Sequence, residues 1–343
     1  MGGSRARSIA LVGGFGAAGL VMAGIYFGSG RLSRFDPPLA AYAAATVFAA
    51  FAIVYRYAMW IQRPPTWRYF VASWRLVFRP SRLIPNLGKL VVLVANQIVL
   101  QRFIEKRSRS RWAAHMCLAW GCLLAFAITF PLSWGWIQFG VAEAGSDYVV
   151  EFMGWPMFAF PPNGPIAFFM FNGLNISAVL VLVGVALAMH RRLFDRGAQA
   201  VQTLGNDFVP LFLLFAVSVT GLMITASYKW MGGQNFAFIS LLHAFTVVLL
   251  LLWLPFGKLF HVIQRPAQLG VAFYKEEGAR GEQASCYRSG KSYMSRLHHD
   301  DLVEVMKEVG IDFGHHQDLS PQEKRKLIAL NQAALVDGVP YVG

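Results

Sequence analysis

Three histidines stand where an apolar sequence would not be expected to carry them. His115 lies in SRWAAHMCLAWGCLLAF, and His243 and His261 mark the two edges of LLHAFTVVLLLLWLPFGKLFHVIQRP. An ionisable ring inside a lipid-buried helix costs a few kcal/mol, so such a residue points to a metal, a ligand or a proton path. Eighteen residues separate His243 from His261. On one continuous helix that is five turns, about 27 Å along the axis, with both rings on one face. The distance is roughly one hydrocarbon core.

The remainder of the chain agrees with a membrane setting. Of 343 residues, 56% are hydrophobic and only 14% charged, which fits a polytopic membrane protein and not a soluble domain. The net charge of +13 is spread in short Arg/Lys blocks between apolar runs, as orientation signals are, so nucleic acid is not the expected partner. Anionic lipid is. The three cysteines, Cys117, Cys122 and Cys286, form no CxxC pattern. Neither an iron–sulfur cluster nor a disulfide framework is expected here, and any iron–sulfur chemistry would come from another chain. The N-terminal SIALVGGFGAAGLVMAGIYFG is long enough to span and is expected to be a retained helix, not a cleaved leader.

Six segments are predicted to cross the bilayer, at about 8–28, 38–61, 112–138, 165–190, 207–228 and 237–262. A seventh, LGKLVVLVANQIVLQRF (87–103), has basic blocks on both sides, so it is expected to lie at the interface or re-enter. Loops 62–111 and 191–206 and the tail after His261 are the basic ones, which puts them and both termini in the cytoplasm of an inner (cytoplasmic) membrane. Loop 139–164, rich in Trp, Phe and Met, then faces outside as an aromatic belt or a lid. The predicted fold class is all-α, a polytopic membrane helix bundle of about six transmembrane helices plus a cytoplasmic tail. Three regions are expected: 1–86, two helices and a basic loop; 87–266, a four-helix core with the interfacial helix; and 267–343, a tail for partner docking. Within that tail Ser320 and Glu323 form a capping-box pattern with Pro321 at the first helical position. The doublets His298–His299 and His315–His316 lack supporting ligands and are expected to be solvated, and His190 is expected at an interface beside two arginines.

This topology brings His115 and His261 to equal depth on different helices. Such a pair can hold the iron of a planar porphyrin from both sides. Gly121 and Gly257 would let a ring face approach, and Arg107, Arg109, Arg111 and Lys258 could pair with propionates. Two hydrogen-bonded packing histidines are the alternative.

The same residues resemble a known family. SRWAAHMCLAWGCLLAF, preceded by LQRFIEKRSRSR, is similar to the haem helix of the membrane cytochrome b superfamily that includes the respiratory nitrate reductase gamma subunit. The paired-histidine stretch ending PFGKLFHVIQRP is similar to the corresponding helix of its members. The nearer relatives are the membrane subunits of heterodisulfide-reductase-type and dissimilatory sulfite-reduction complexes. The resemblance covers approximately residues 90–266. It implies quinone-linked electron transfer through one or two b haems, to or from a cytoplasmic iron–sulfur subunit, by a relay subunit and not a stand-alone enzyme. His115 and His261 match the ligands of the haem nearer the cytoplasm, and His243 matches a ligand of the outer haem. That haem's second ligand would fall at Ala125, where the sequence departs from the pattern. His243 therefore has three readings: ligand of a second haem, lining of a quinone pocket, or structure. One haem b is expected and a second is contingent. The alternative function, a secondary transporter without haem, would call for paired halves with polar groups at the midplane, and none is evident. A diiron membrane oxidase would need histidine clusters that the chain lacks.

Overall fold

A computed structural model describes residues 3–142, 145–311 and 314–336. The chain opens with two long helices, α1 (Gly3–Gly28) and α2 (Ala40–Ile61). Two shorter ones follow, α3 (Pro64–Val77) and α4 (Leu83–Val94), then the single turn α5 (Arg102–Glu105). Helix α6 (Arg109–Ser133) leads into strands β1 (Ile137–Val141), β2 (Tyr148–Phe152) and β3 (Trp155–Phe160). Next come α7 (Pro165–Phe194), the single turn α8 (Arg196–Gln199), α9 (Val209–Trp230) and α10 (Phe236–Trp253). The C-terminal part holds α11 (His261–Arg280), β4 (Gln283–Ser285), β5 (Ser292–Ser295), α12 (Arg296–Glu308) and α13 (Pro321–Val336).

Among the described residues seven helical stretches are long and apolar enough to cross a membrane, and Pro80–Val99 is the least apolar of them. The protein is a multi-pass helical bundle of six to seven spans, as its composition predicts. The chain divides into two compact units. One comprises residues up to 58 together with 95–264, and the other 59–94 together with 265 onward.

In the first unit, close helix contacts are made where side chains are smallest, as packing between lipid-embedded helices requires. A Cβ on Gly14 of α1 would lie 2.9 Å from the Phe51 ring of α2. Helix α6 packs on α7, α7 on α9 and α9 on α10. Gly121 of α6 and Gly184 of α7 face each other's helices, and Ser177 Oγ donates to the Gly121 carbonyl at 2.8 Å. Val181, Val185, Leu211, Leu214 and Leu250 fill the space between α7, α9 and α10.

The aromatic stretch 139–164 contributes to an antiparallel meander of order β1-β2-β3. Strands of five or six residues carry too few alternations to be read from the sequence, and Pro156 argues against one. The structure accommodates Pro156 on the edge strand β3, where the register shifts at Val150/Glu151. Val150 and Phe160 bury against Ala167 at the start of α7.

The predicted span 237–262 is not one helix. Helix α10 stops at Trp253, and after a turn and the short 3-10 segment Lys258–Phe260 a new helix starts at His261. Pro255 explains the stop, because it has no N–H to donate and its ring crowds the carbonyl four residues back. Gly257 follows in extended backbone, φ −82 and ψ −171. His243 and His261 therefore do not share a helix face, and the five-turn spacing does not apply.

In the second unit, Phe273 and Tyr274 of α11, each 2% exposed, pack against residues of α3, α4 and α12. Arg68 Nε donates to Asp301 Oδ1 at 2.7 Å, and the Tyr274 hydroxyl donates to Asp301 Oδ2 at 2.6 Å. A Cβ on Gly270 would stand 2.9 Å from Ser73 Cβ, so α11 and α3 are in backbone-close contact. The cap expected at Ser320 forms, with its Oγ accepting the Glu323 N–H at 3.3 Å. Cys286 is buried, its Sγ accepting the Ser320 N–H at 3.2 Å.

Candidate functional site

His115 lies in the second turn of α6, whose start is fixed by Ser108 Oγ accepting the Arg111 N–H. The Trp112 indole N–H anchors the same turn on the Leu100 carbonyl at 2.7 Å. His261 is the first residue of α11, immediately past the break. Arg56 of α2 holds that break in two ways. It donates to the Pro255 carbonyl, and its guanidinium lies 4.3 Å from the centre of the buried Phe260 ring.

The two imidazoles come together: their ring centres are 6.2 Å apart, with planes at 66°. His261 Nδ1 is 2.6 Å from the Lys258 carbonyl oxygen. A carbonyl only accepts, so Nδ1 carries the proton and Nε2 keeps its lone pair. That is the usual arrangement of a metal-binding histidine, whose second nitrogen is fixed by a backbone carbonyl or carboxylate. The spacing is one that two imidazoles sharing a metal ion would have: with a metal–nitrogen bond of roughly 2 Å, two ring centres would stand about 6 Å apart.

The other residues singled out from the sequence distribute as follows. Gly121 serves the α6–α7 contact, since a Cβ there would meet Val181 Cγ2 at 2.7 Å. Gly257 makes room for the Trp253 indole, into which a Cβ would run. Lys258 pairs with Asp207 at 2.7 Å, and Arg111 reaches Asp195 at 4.0 Å. Hydrogen bonds from the Ala198 and Gly197 N–H groups and from Arg191 hold the Asp195 carboxyl below the usual range against its desolvation. Arg107 and Arg109 are exposed.

His243 is elsewhere. Ten residues separate it from the end of α10 at Trp253, about 15 Å of helix. Its Nδ1 is 2.9 Å from Thr220 Oγ1 on α9, and that hydroxyl already donates to the Ala216 carbonyl at 2.7 Å. Thr220 is thus an acceptor and Nδ1 carries the proton, and the ring also meets the Val217 backbone. Gly221 leaves space against the ring.

In the C-terminal unit His315 is exposed, in line with the solvated reading, whereas His298 and His299 depart from it. His299 is 5% exposed and bridges Asp300 and Asp318 at 3.0 Å each. His298 stacks on Tyr69 with ring centres 5.3 Å apart. The surroundings of His298 depend on Tyr69 of α3, more than two hundred residues away in sequence, and no local pattern announces them. Exposed His190 packs on Phe194. Among the described residues, no group of three or more His, Cys, Asp or Glu side chains is placed to hold a metal ion.

No family model matches the chain, and no solved structure matches it. Over 181 residues, 50% of this chain, it is 26% identical to a subunit of the dihydromethanophenazine:CoB–CoM heterodisulfide reductase of Methanosarcina barkeri (strain Fusaro / DSM 804). The similar region spans 62% of that protein's length.

Proposed function

We propose that this chain is the membrane electron-transfer subunit of a heterodisulfide-reductase-type respiratory complex, within the wider nitrate reductase gamma-like superfamily, and that it holds one haem b between His115 and His261. The observation that carries the reading is the 6.2 Å separation of these two rings. The likeness to the Methanosarcina reductase subunit supports its coarser part.

Bound there, a haem supplies a one-electron centre between a two-electron quinone and an iron–sulfur partner. The chain's own residues prepare the site. The Lys258 carbonyl selects the His261 tautomer that presents Nε2, and Arg56 fixes the turn that delivers it. Lys258 and Arg111 are the residues that would meet the propionates, in exchange with Asp207 and Asp195. His243, held by Thr220, is the contingent ligand of a second haem.

In this reading both termini and the basic loops face the cytoplasm, 87–103 lies along the surface, and a cytoplasmic iron–sulfur subunit docks on that basic face. Raising ionic strength weakens its assembly.

The test is a pyridine haemochrome assay with reduced-minus-oxidised spectra of the purified full chain. One haem per chain is expected, lost in His115→Ala and in His261→Ala. Full absorbance in both single variants would overturn the assignment. A colourless wild-type preparation would return the chain to the transporter class.

A further inference from the structure

The second unit contains a chamber of about 310 Å³ whose walls include Trp60, Tyr69, Phe70, Val271, Tyr274 and His298. A second space of about 220 Å³ shares Tyr274, Lys275 and His298 with it and adds the polar side chains of Gln283 and Ser295. His298 and Lys275 thus stand between an apolar compartment and a wetter one. We infer that this chamber receives the ring of a lipid-borne quinone, with His298 as the hydrogen-bonding partner of a ring oxygen. The inference rests on the quinone-linked reading above and gives it a location, one distinct from His243.

Four observations support it. The chamber begins at Trp60, in the last turn of a spanning helix, where amphipathic rings mark the lipid–water boundary and a lipid-dissolved molecule would enter. Its size suits one small ring system, at the lower end of ligand pockets. Its walls are rings: Tyr69 stacks on His298 at 29°, and Tyr274 meets it edge-on at 6.3 Å. These contacts orient the imidazole without using its nitrogens. The other polar walls are partly spoken for, with the Tyr274 hydroxyl on Asp301 and the Leu297 carbonyl and the Gln268 oxygen on Arg265.

Burial draws His298 below the ordinary histidine range, opposed by Asp301 and reinforced by Lys275. A neutral imidazole offers one donor and one acceptor, which suits both the carbonyl of a quinone and the hydroxyl of a quinol. A phospholipid would leave the imidazole without a role in the apolar chamber, and among the described residues that line it Lys275 alone carries a full positive charge to meet a headgroup phosphate.

Calorimetric titration of the full chain in nanodiscs with dimethyl-naphthoquinone, a tail-less menaquinone analogue, tests this. His298→Ala is expected to weaken binding about tenfold, the weight of roughly one hydrogen bond. Val271→Trp, which fills the chamber, should abolish it, while His298→Gln retains part of the affinity. His243→Ala should leave it unchanged. Thermal melts of each variant check folding, and the readout needs no haem: His115→Ala should lose pigment yet keep its naphthoquinone affinity. Equal affinity in His298→Ala and Val271→Trp overturns the site, as does a loss confined to His243→Ala. A phospholipid seen by native mass spectrometry that Val271→Trp removes and naphthoquinone does not displace also overturns it.

Discussion

Arg56 and Phe260 are 204 positions apart in sequence, yet the guanidinium of one lies 4.3 Å from the ring centre of the other. The same guanidinium donates to the Pro255 carbonyl. Arg56 is thus the clasp of the break that precedes His261. Arg56→Ala leaves the Pro255 carbonyl, which lies past the end of α10, without this donor, which costs about 1–3 kcal/mol. The expected result is a lower thermal midpoint, with hydrogen exchange rising first across 254–262. Unchanged exchange in that segment would remove Arg56 from this role.

Thr220 holds the Nδ1 proton of His243 in the interior of the bundle. Thr220→Val removes one partner of the His243 ring and leaves the Val217 carbonyl as the other, so it is expected to destabilise the chain by about 1 kcal/mol, whereas Thr220→Ser should cost less. Haemochrome content should stay at one haem per chain in both and in His243→Ala. Two haems in the wild type, falling to one in His243→Ala, would make His243 a ligand.

Gly184 faces α6 one residue from a haem-ligand candidate. A Cβ there would come within 2.7 Å of Leu118 Cγ, 2.9 Å of the Leu118 nitrogen and 3.0 Å of the Ala114 carbonyl. Two of the three are backbone atoms that cannot move alone. Gly184→Ala should therefore cost about 1–3 kcal/mol and shift the spectrum of any pigment held by His115. Gly19, where an added Cβ would meet nothing within 4 Å, is the control. Gly19→Ala should be neutral or slightly stabilising, because alanine is the better helix former.

Asp318 gives the C-terminal unit a pH dependence. Its carboxyl is held below the ordinary aspartate range by hydrogen bonds from His315 and His299, against the opposing effect of burial. A depressed carboxylate contributes stability that is present above its unfolded value, about 3.9, and is lost as pH falls through the lower folded value. Amides near His299 and Asp318 should therefore lose exchange protection in that acid window. Asp318→Asn should flatten the dependence, and an identical acid profile in the variant would remove Asp318 as its source.

The spans and the pair His115–His261 were legible because each depends on local contrast, a polar ring or a charged block against an apolar run. The break at 254–260 was not, because Leu254, Phe256 and Phe260 keep the run apolar while Pro255 acts on backbone geometry. The C-terminal unit was hidden for another reason. Its central contacts join Arg68 to Asp301 and Tyr69 to His298, pairings across more than two hundred residues that no periodicity encodes. A charged side chain at Arg56, near the end of an apolar helix, was the one local hint of the clasp.

The interruption between Trp253 and His261 also resets angular phase. In an unbroken helix, every inserted or deleted residue swings all that follows by about 100°. Here α10 could lengthen or shorten to suit a thicker or thinner bilayer, and the imidazole beyond would keep its bearing.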